Sequence, residues 1–209
     1  MDIHKPKPAH SVREFLSEIG TITIGILIAL SLEAAAEAYR NHETVEHAKA
    51  DLRYELKEDR DAVAHTVAQE KSVLSSLDVL AKYGRQRLNG EKVAPPEGVK
   101  LSLDFKPVKM AAWDSTVATQ ALGHMPYAEA QAVSRAYAGS RNFNDFETDA
   151  IRHWFDLSIL PDDLASISGS ELKSVMHEVA LNQLYEASVL RSGQSLVGIY
   201  DRALAALNN

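Results

Sequence analysis

The sequence predicts an all-α protein. An N-terminal transmembrane helix continues into a long helix, which packs with two further long helices and one short helix as an antiparallel bundle. Three observations indicate this fold. Apolar residues recur at steps of three or four over long stretches, as on one face of a helix. Prolines and glycines are concentrated in a few breaks, and one N-terminal stretch is apolar on every side.

Composition excludes several kinds of site. The 209 residues contain no cysteine, which excludes disulfides, thiolate metal sites and a cysteine nucleophile. Asp and Glu number 29 against 22 Lys and Arg, a formal net charge of -7. We expect no nucleic-acid partner, because phosphate binding needs a basic face. The proportions of hydrophobic (45%) and charged (24%) residues are typical of a soluble domain for most of the chain.

The N-terminal stretch divides into a basic tail and an anchor. Residues 1–13 carry more basic than acidic side chains and are predicted to be a cytoplasmic tail. Residues 14–36 are predicted to be a transmembrane helix, because this length at about 1.5 Å per residue covers the ~30 Å hydrocarbon layer. Glu18 and Glu33 fall near its two ends, where a carboxylate reaches water.

Two other interpretations of this stretch are open. A basic start, an apolar run and the small residues AAAEA also fit a cleaved signal peptide. The third interpretation is the buried core helix of a soluble protein. For an anchor, the bases before the apolar run outnumber those that closely follow it. The positive-inside rule then favours a cytoplasmic N-terminus and an exported domain over residues 37–209.

Two phrases of the sequence resemble those of a known family. FLSEIGTITIGILIALSLEAAAEAYRNHE and the later AAWDSTVATQALGHMP are similar to a family of uncharacterised bacterial single-pass membrane proteins. In that family, a domain of unknown function, a basic N-terminus leads into an EIGxxxIGILIAL-type anchor and an acidic helical domain. Here AEAAAEAY stands where the family has a Trp-rich interfacial stretch. The resemblance implies a bacterial inner-membrane protein and no catalytic residues, and the exported domain is then expected in the periplasm.

The first long helix is predicted from residue 33 to about residue 88, a stretch interrupted by one glycine and no proline. Charged side chains between its apolar rows are predicted to form a solvated face: Glu55, Lys57, Glu58, Asp59, Arg60 and Asp61. This helix is longer than the two later long helices. We therefore expect residues 33 to about 50 to stand clear as a stalk or to pair with another copy.

Proline positions predict the next elements. Residues 90–106 contain two adjacent prolines and are predicted to be irregular, with a short extended piece at 101–105. A short helix is expected to open at Pro107 and to stop at Gly123.

Residues typical of helix ends predict the second and third long helices. The second is predicted from Tyr127 to about Leu160, where Pro161 ends it. Ser168 and Glu171 match a capping box, which predicts that the last helix starts there and continues to the C-terminus.

Aromatic residues and arginines are concentrated in the second half of the chain, and they suggest a ligand pocket. The candidate pocket residues are Trp113, Tyr137, Arg152 and Trp154, with an arginine available for a carboxylate. The alternative interpretation is that these aromatics fill the wide junction where the short helix leaves the bundle core.

Four residues of the anchor are candidates for helix association. Gly20 and Gly25 are small, although their spacing of five differs from the spacing of four in the close-packing dimer motif. Glu18 and Glu33 are placed to form rings in an oligomer or to meet a cation of a partner. Solvated end positions are the alternative for both carboxylates.

Three carboxylate–histidine pairs lie one helical turn apart. They are Glu43/His47, Asp61/His65 and Asp149/His153. Each pair suits a metal site or a proton relay, and each also fits an exposed ion pair. We expect ion pairs, with no metal and no cofactor, because the di-iron and paired-histidine zinc motifs are missing from the sequence.

The sequence therefore predicts a membrane-anchored helical scaffold or accessory subunit of an inner-membrane assembly, not an enzyme. Its expected partners are the lipid bilayer and either further copies of the chain or a larger membrane protein complex. The alternative is a periplasmic small-molecule-binding sensor module that acts through a partner subunit. An enzyme that uses the Asp149/His153 face is a third hypothesis.

Overall fold

The fold consists of helices. The computed structural model describes residues 12–97, 99, 106–158 and 164–208. Within these ranges there is no strand, and five helices follow in order: α1 (Val12–Leu88), α2 (Ala111–Ala118), α3 (Ala121–His124), α4 (Tyr127–Ser158) and α5 (Gly169–Leu207). The predicted all-α class, with one long apolar N-terminal helix and a bundle of long helices, is confirmed.

The chain divides into two compact units, Met1–Glu46 and His47–Asn209. The part of α1 in the first unit, Val12 to Glu46, is called the anchor segment below, and the second unit is called the helical body. In the anchor segment every side chain from Glu33 to Arg40 is exposed. In the helical body the side chains of Ala48 and Leu52 are already buried, so the expected exposed stalk does not extend to residue 50.

The helical body is held together by an apolar core along α1, α4 and α5. The core positions follow the predicted spacing of three or four and are at most 1% exposed: Leu52, Leu56, Val63, Leu77, Val133, Phe143, Val179, Leu196 and Tyr200. Burial of such side chains contributes about 1.5–3 kcal/mol each, which makes this core the main source of stability.

Polar contacts between the helices define their directions. α5 runs antiparallel to α4, because the Ser140 and Tyr200 hydroxyl oxygens lie 2.7 Å apart and the Trp154 indole donates to Glu186. α5 also runs antiparallel to α1, with Arg60 Nε 2.9 Å from Asp201 Oδ1 near one end. Arg53 of α1 donates from its guanidinium to the Leu207 carbonyl, which caps the last turn of α5 with a cation.

α1 and α4 run in the same direction, because the chain returns along the bundle between them. It leaves α1 at Leu88 and meets the middle of α1 again where the Lys109 N–H donates to Asp59. α4 then starts near Lys49, whose ammonium lies 2.7 Å from Glu129.

Two predicted helix starts have different outcomes. The capping box is confirmed, since the Ser168 hydroxyl accepts from the Glu171 N–H and the Glu171 carboxylate accepts from the Ser168 N–H at 2.9 Å. The short helix begins at Ala111 rather than at Pro107. The preceding N–H groups of Val108 and Lys109 are bound by side chains of α4 and α1, which holds this stretch out of a helical conformation.

The short helix is also divided in two. Gln120 adopts φ 60°, a left-handed conformation that separates α2 from α3. The predicted extended piece at 101–105 and the predicted helix end at Pro161 lie outside the described residues. The last described residue of α4 is Ser158, close to the predicted end.

A close approach of three helices at Gly193 gives a testable prediction. A Cβ on Gly193 of α5 would lie 2.6 Å from Val67 Cγ2 and 3.1 Å from Phe143 Cε2. We expect Gly193→Ala to lower the free energy of unfolding of the body by about 1–3 kcal/mol, because the stiff Val67 side chain cannot yield. Thermal unfolding in mild detergent, followed by circular dichroism, measures this loss.

Gly198→Ala on the same helix is the matched control, since its nearest neighbour is Arg202 Nη1 at 3.7 Å. This change is expected to leave stability unchanged or to raise it by up to ~1 kcal/mol through helix propensity. Equal stability of the two variants would contradict the close packing at Gly193.

Candidate functional site

The anchor segment presents apolar side chains on all sides. Among the described helices, α1 contains the stretch that is long and apolar enough to cross a membrane, and none of that stretch is buried. Two of its hydroxyls bond within the helix: Thr21 donates to the Ser17 carbonyl at 2.9 Å and Ser31 to the Leu27 carbonyl at 2.7 Å. A helix of this kind is suited to lipid, because its backbone bonds internally and these two hydroxyls bond to it.

The four candidate association residues lie along this helix. Glu18 and Glu33 are exposed, and Gly20 and Gly25 have no atom within 4 Å of the position that a Cβ would occupy. The space beside both glycines leaves room for the close approach of another helix.

In the helical body, two carboxylates of α1 hold the start of α2. Glu55 and Asp59 lie one turn apart on α1 and are 5% and 2% exposed. The Glu55 carboxylate accepts from the Ala112 N–H at 3.0 and 3.1 Å, and the Asp59 carboxylate accepts from the Lys109 N–H at 3.0 and 3.1 Å. The first N–H groups of a helix lack intrahelical partners, so Glu55 acts as a cap supplied by another helix, and Asp59 holds the residue just before the N-cap position.

This finding corrects the predicted solvated face of α1. Glu55 and Asp59 were expected in water, and both are buried because α2 packs over them. Burial raises the pKa of Asp59 to about 6, although the hydrogen bond from the Lys109 N–H opposes that shift.

Tyr137 and Trp113 complete the junction of α2 with the bundle. The Tyr137 hydroxyl donates to Glu55 at 2.7 Å, and burial, followed by this bond to Glu55, raises the pKa of Tyr137 above its ordinary range. The Trp113 ring lies 5.2 Å from the Tyr137 ring, and the Arg141 guanidinium lies 5.8 Å from the Trp113 ring centre. Trp113 and Tyr137 therefore pack together at the junction of the short helix with the bundle.

The structure does not bring the four candidate pocket residues together. Trp113 and Tyr137 are in contact. Trp154 lies about 25 Å further along α4, at about 1.5 Å per residue, and packs against Val73 and Leu77. Arg152 is exposed and donates to Asp149 at 3.0 Å.

A second group of buried carboxyls lies deeper in the body. Glu70 of α1, Glu147 of α4 and Glu186 of α5 are 5%, 3% and 1% exposed, and each comes from a different long helix. The Trp154 indole N–H donates to Glu186. One oxygen of Glu70 and one of Glu147 have no hydrogen-bond partner among the described residues. We call these three residues the glutamate cluster.

The glutamate cluster favours protonated carboxyls. Burial raises the pKa of Glu147 to about 8, and the nearby charge of Glu186 adds to this shift. Burial also raises the pKa of Glu70, and a hydrogen bond and the charge of Glu186 act in the same direction. At neutral pH, Glu70 and Glu147 therefore carry protons, because an ionised carboxylate without a cation is costly in a core.

The chain was compared with known proteins at the level of sequence and of structure. No family model, curated protein or solved structure matches it.

Members of two of the three carboxylate–histidine pairs contact other groups. Asp149 binds Arg152, and the His153 ring stacks on the Tyr185 ring with centres 4.2 Å apart. Asp61 lies 3.2 Å from the Arg60 guanidinium. In the part of the chain that the structure describes, no group of three or more His, Asp or Glu side chains is arranged to hold a metal ion.

Sequence reasoning missed the glutamate cluster, although a signal was present. Glu70 stands at a core position of the apolar stripe, between Val67 and Val73, and Glu147 follows Phe143 at the same spacing. An acid that stands within an apolar row, at steps of three or four from apolar residues, indicates a buried carboxyl. The distribution of charges alone does not indicate such burial.

Proposed function

We propose that the protein is a membrane-anchored helical scaffold or accessory subunit of a bacterial inner-membrane assembly. In this proposal the N-terminus is cytoplasmic and the helical body is periplasmic. One observation carries it: the large apolar side chains from Val12 to Leu32 are exposed around the whole helix, with Ile19, Leu27 and Leu32 at 45%, 57% and 68% exposure. A soluble protein does not leave an apolar surface of this kind in water, and lipid covers it.

The polar groups of the helical body support a structural role. Glu55 and Asp59 hold α2 against α1, and Arg53 caps α5. These charged side chains are occupied in joining helices. Because charged side chains join its helices, the body is suited to present a fixed surface to a partner.

The proposed partner is a second copy of the chain or a larger membrane protein complex. Gly20 and Gly25 support association through the anchor, because nothing lies within 4 Å of either Cβ position. Close approach of helix backbones at small residues is how transmembrane helices associate in lipid.

Membrane retention tests the anchor. We expect the full chain to stay in the membrane pellet after alkaline carbonate washing, and Ile26→Arg to release it or prevent insertion, because arginine at a helix centre costs about 2.5–3.5 kcal/mol on insertion. Leu184→Arg, at an exposed apolar position of α5, is the matched control and stays in the pellet. Release of the unmodified chain, or a mature N-terminus near Ala38, would contradict an anchor.

Association tests the scaffold role. Light scattering of the full chain in mild detergent is expected to give a mass above that of one chain, or a co-purifying membrane protein. Gly20→Leu with Gly25→Leu is expected to reduce that association through steric contact. A monomer that purifies alone would contradict the scaffold proposal.

A further inference from the structure

A surface groove runs between α4 and α5 of the helical body. It consists of two adjoining cavities of about 470 and 530 Å³, which share Gly139, Asn142 and Ile199 as lining residues. Each volume is in the range of small-molecule sites. We call the two together the α4–α5 groove.

Small side chains create the α4–α5 groove. Alanines and a glycine line it from α4, and serines line it from α5: Ala128, Ala132, Ala138, Gly139, Ser188, Ser192 and Ser195. A Cβ on Gly139 would lie 2.8 Å from Leu196 Cδ1, so the glycine is needed for the leucine to form the floor. At one end Phe146 is 42% exposed and offers an aromatic surface.

The groove is positively charged in an acidic protein. Arg135, Arg191 and Arg202 line it, and no Asp or Glu is among its lining residues. Within the described ranges, none of these three guanidinium groups forms an ion pair, and Arg191 donates to the Ala187 carbonyl at 3.3 Å. Guanidinium groups with free donors are the side chains best suited to bind a carboxylate.

Two acids that neighbour groove residues in the sequence bind cations of α1 instead. Glu129 of α4 lies 2.7 Å from the Lys49 ammonium, and Asp201 of α5 lies 2.9 Å from Arg60 Nε. Both carboxylates are thus bound by cations of α1. Neither carboxylate forms an ion pair with an arginine of the groove.

We propose that the α4–α5 groove binds a small organic carboxylate with an aromatic or aliphatic body. Arg135 and Arg202 bind the carboxylate, and the apolar part lies over Gly139 and Ile199 towards Phe146. This site does not depend on the scaffold proposal, since a soluble ligand reaches the body whatever the anchor associates with. A ligand site here is also what a sensor module would require.

Binding of 2-naphthoate to the full chain in phosphatidylcholine nanodiscs tests the proposal, with empty nanodiscs as the reference. Isothermal titration is expected to give a dissociation constant below about 1 mM for 2-naphthoate, and at least about tenfold weaker binding of the uncharged 2-naphthamide. Arg135→Gln with Arg202→Gln is expected to weaken 2-naphthoate binding about tenfold or more, because two charge-assisted hydrogen bonds are lost.

Two further variants separate a site from general attraction. Arg152→Gln removes an exposed arginine of α4 outside the groove and is expected to leave the affinity unchanged. Ala138→Phe fills the groove and is expected to weaken both ligands, with thermal unfolding of the unliganded protein as the check on folding. Equal affinity for 2-naphthamide, unchanged binding by the double variant, or no binding of 2-naphthoate near 1 mM would overturn the proposal.

Discussion

Raising the pH from about 5 to about 8 is expected to lower the free energy of unfolding of the helical body by several kcal/mol. The pKa of Glu147 is about 8 in the folded protein, against 4.5 for an ordinary glutamate. Between these values the unfolded chain ionises and the folded chain does not, so stability falls as pH rises. At 1.36 kcal/mol per unit, Glu147 contributes about 3 kcal/mol of loss between pH 4.5 and 7.

Other groups define the remainder of this profile. Glu70 also has a raised pKa, and the pKa of Asp59 is raised to about 6. Like Glu147, both groups therefore lower the stability of the folded protein as the pH rises. The pKa of Glu171 is lowered by its hydrogen bonds to Ser168. Its contribution to stability is therefore lost when the pH falls below the ordinary pKa of a glutamate. We therefore expect maximum stability near pH 5, measured by urea unfolding in mild detergent at several pH values.

Glu147→Gln tests which carboxyl is responsible. The amide has nearly the same shape and stays neutral, so the variant should be more stable than the natural chain at pH 8 and close to it at pH 5. Asp145→Asn, at an exposed position of α4, is the matched control and should leave the pH profile unchanged. A flat profile in the natural chain would contradict a buried, protonated glutamate cluster.

The fold could be predicted because the core residues follow the helical period. Leu52, Leu56 and Val63 recur at steps of four and seven on α1, and all three are buried. Likewise, Ser168 and Glu171 predicted the start of α5 through local hydrogen bonds that require no tertiary contact. Both signals lie within one helix, where sequence spacing determines position.

The candidate sites depend on contacts between helices, which spacing alone does not describe. Glu55 and Asp59 have the same charge pattern as a solvated face, and only the docking of α2 buries them. Tyr137 and Trp154 are close in sequence, yet a helix separates them by about 1.5 Å per residue. The residues that each of these side chains contacts could therefore be identified only from the packed helices.

Glu55→Ala is expected to have the largest effect of any change at the α2 junction. It leaves the Ala112 N–H and the Tyr137 hydroxyl buried without an acceptor, at a cost of about 1–3 kcal/mol for each group. The body should lose about 2–6 kcal/mol of unfolding free energy. The Ala112 amide should also exchange faster with deuterium, because α2 loses its cap.

Tyr137→Phe and Glu58→Ala separate the parts of this effect. Tyr137→Phe removes one donor and leaves the cap on α2, so it should cost less and leave exchange at Ala112 slow. When Tyr137→Phe is combined with Glu55→Ala, it should add little to the loss of unfolding free energy, because the two residues share one hydrogen bond. Glu58 binds Lys109 at the exposed surface of α1, so Glu58→Ala should leave exchange at Ala112 slow as well. Fast exchange at Ala112 in all three variants would mean that α2 is held by general packing rather than by the Glu55 carboxylate.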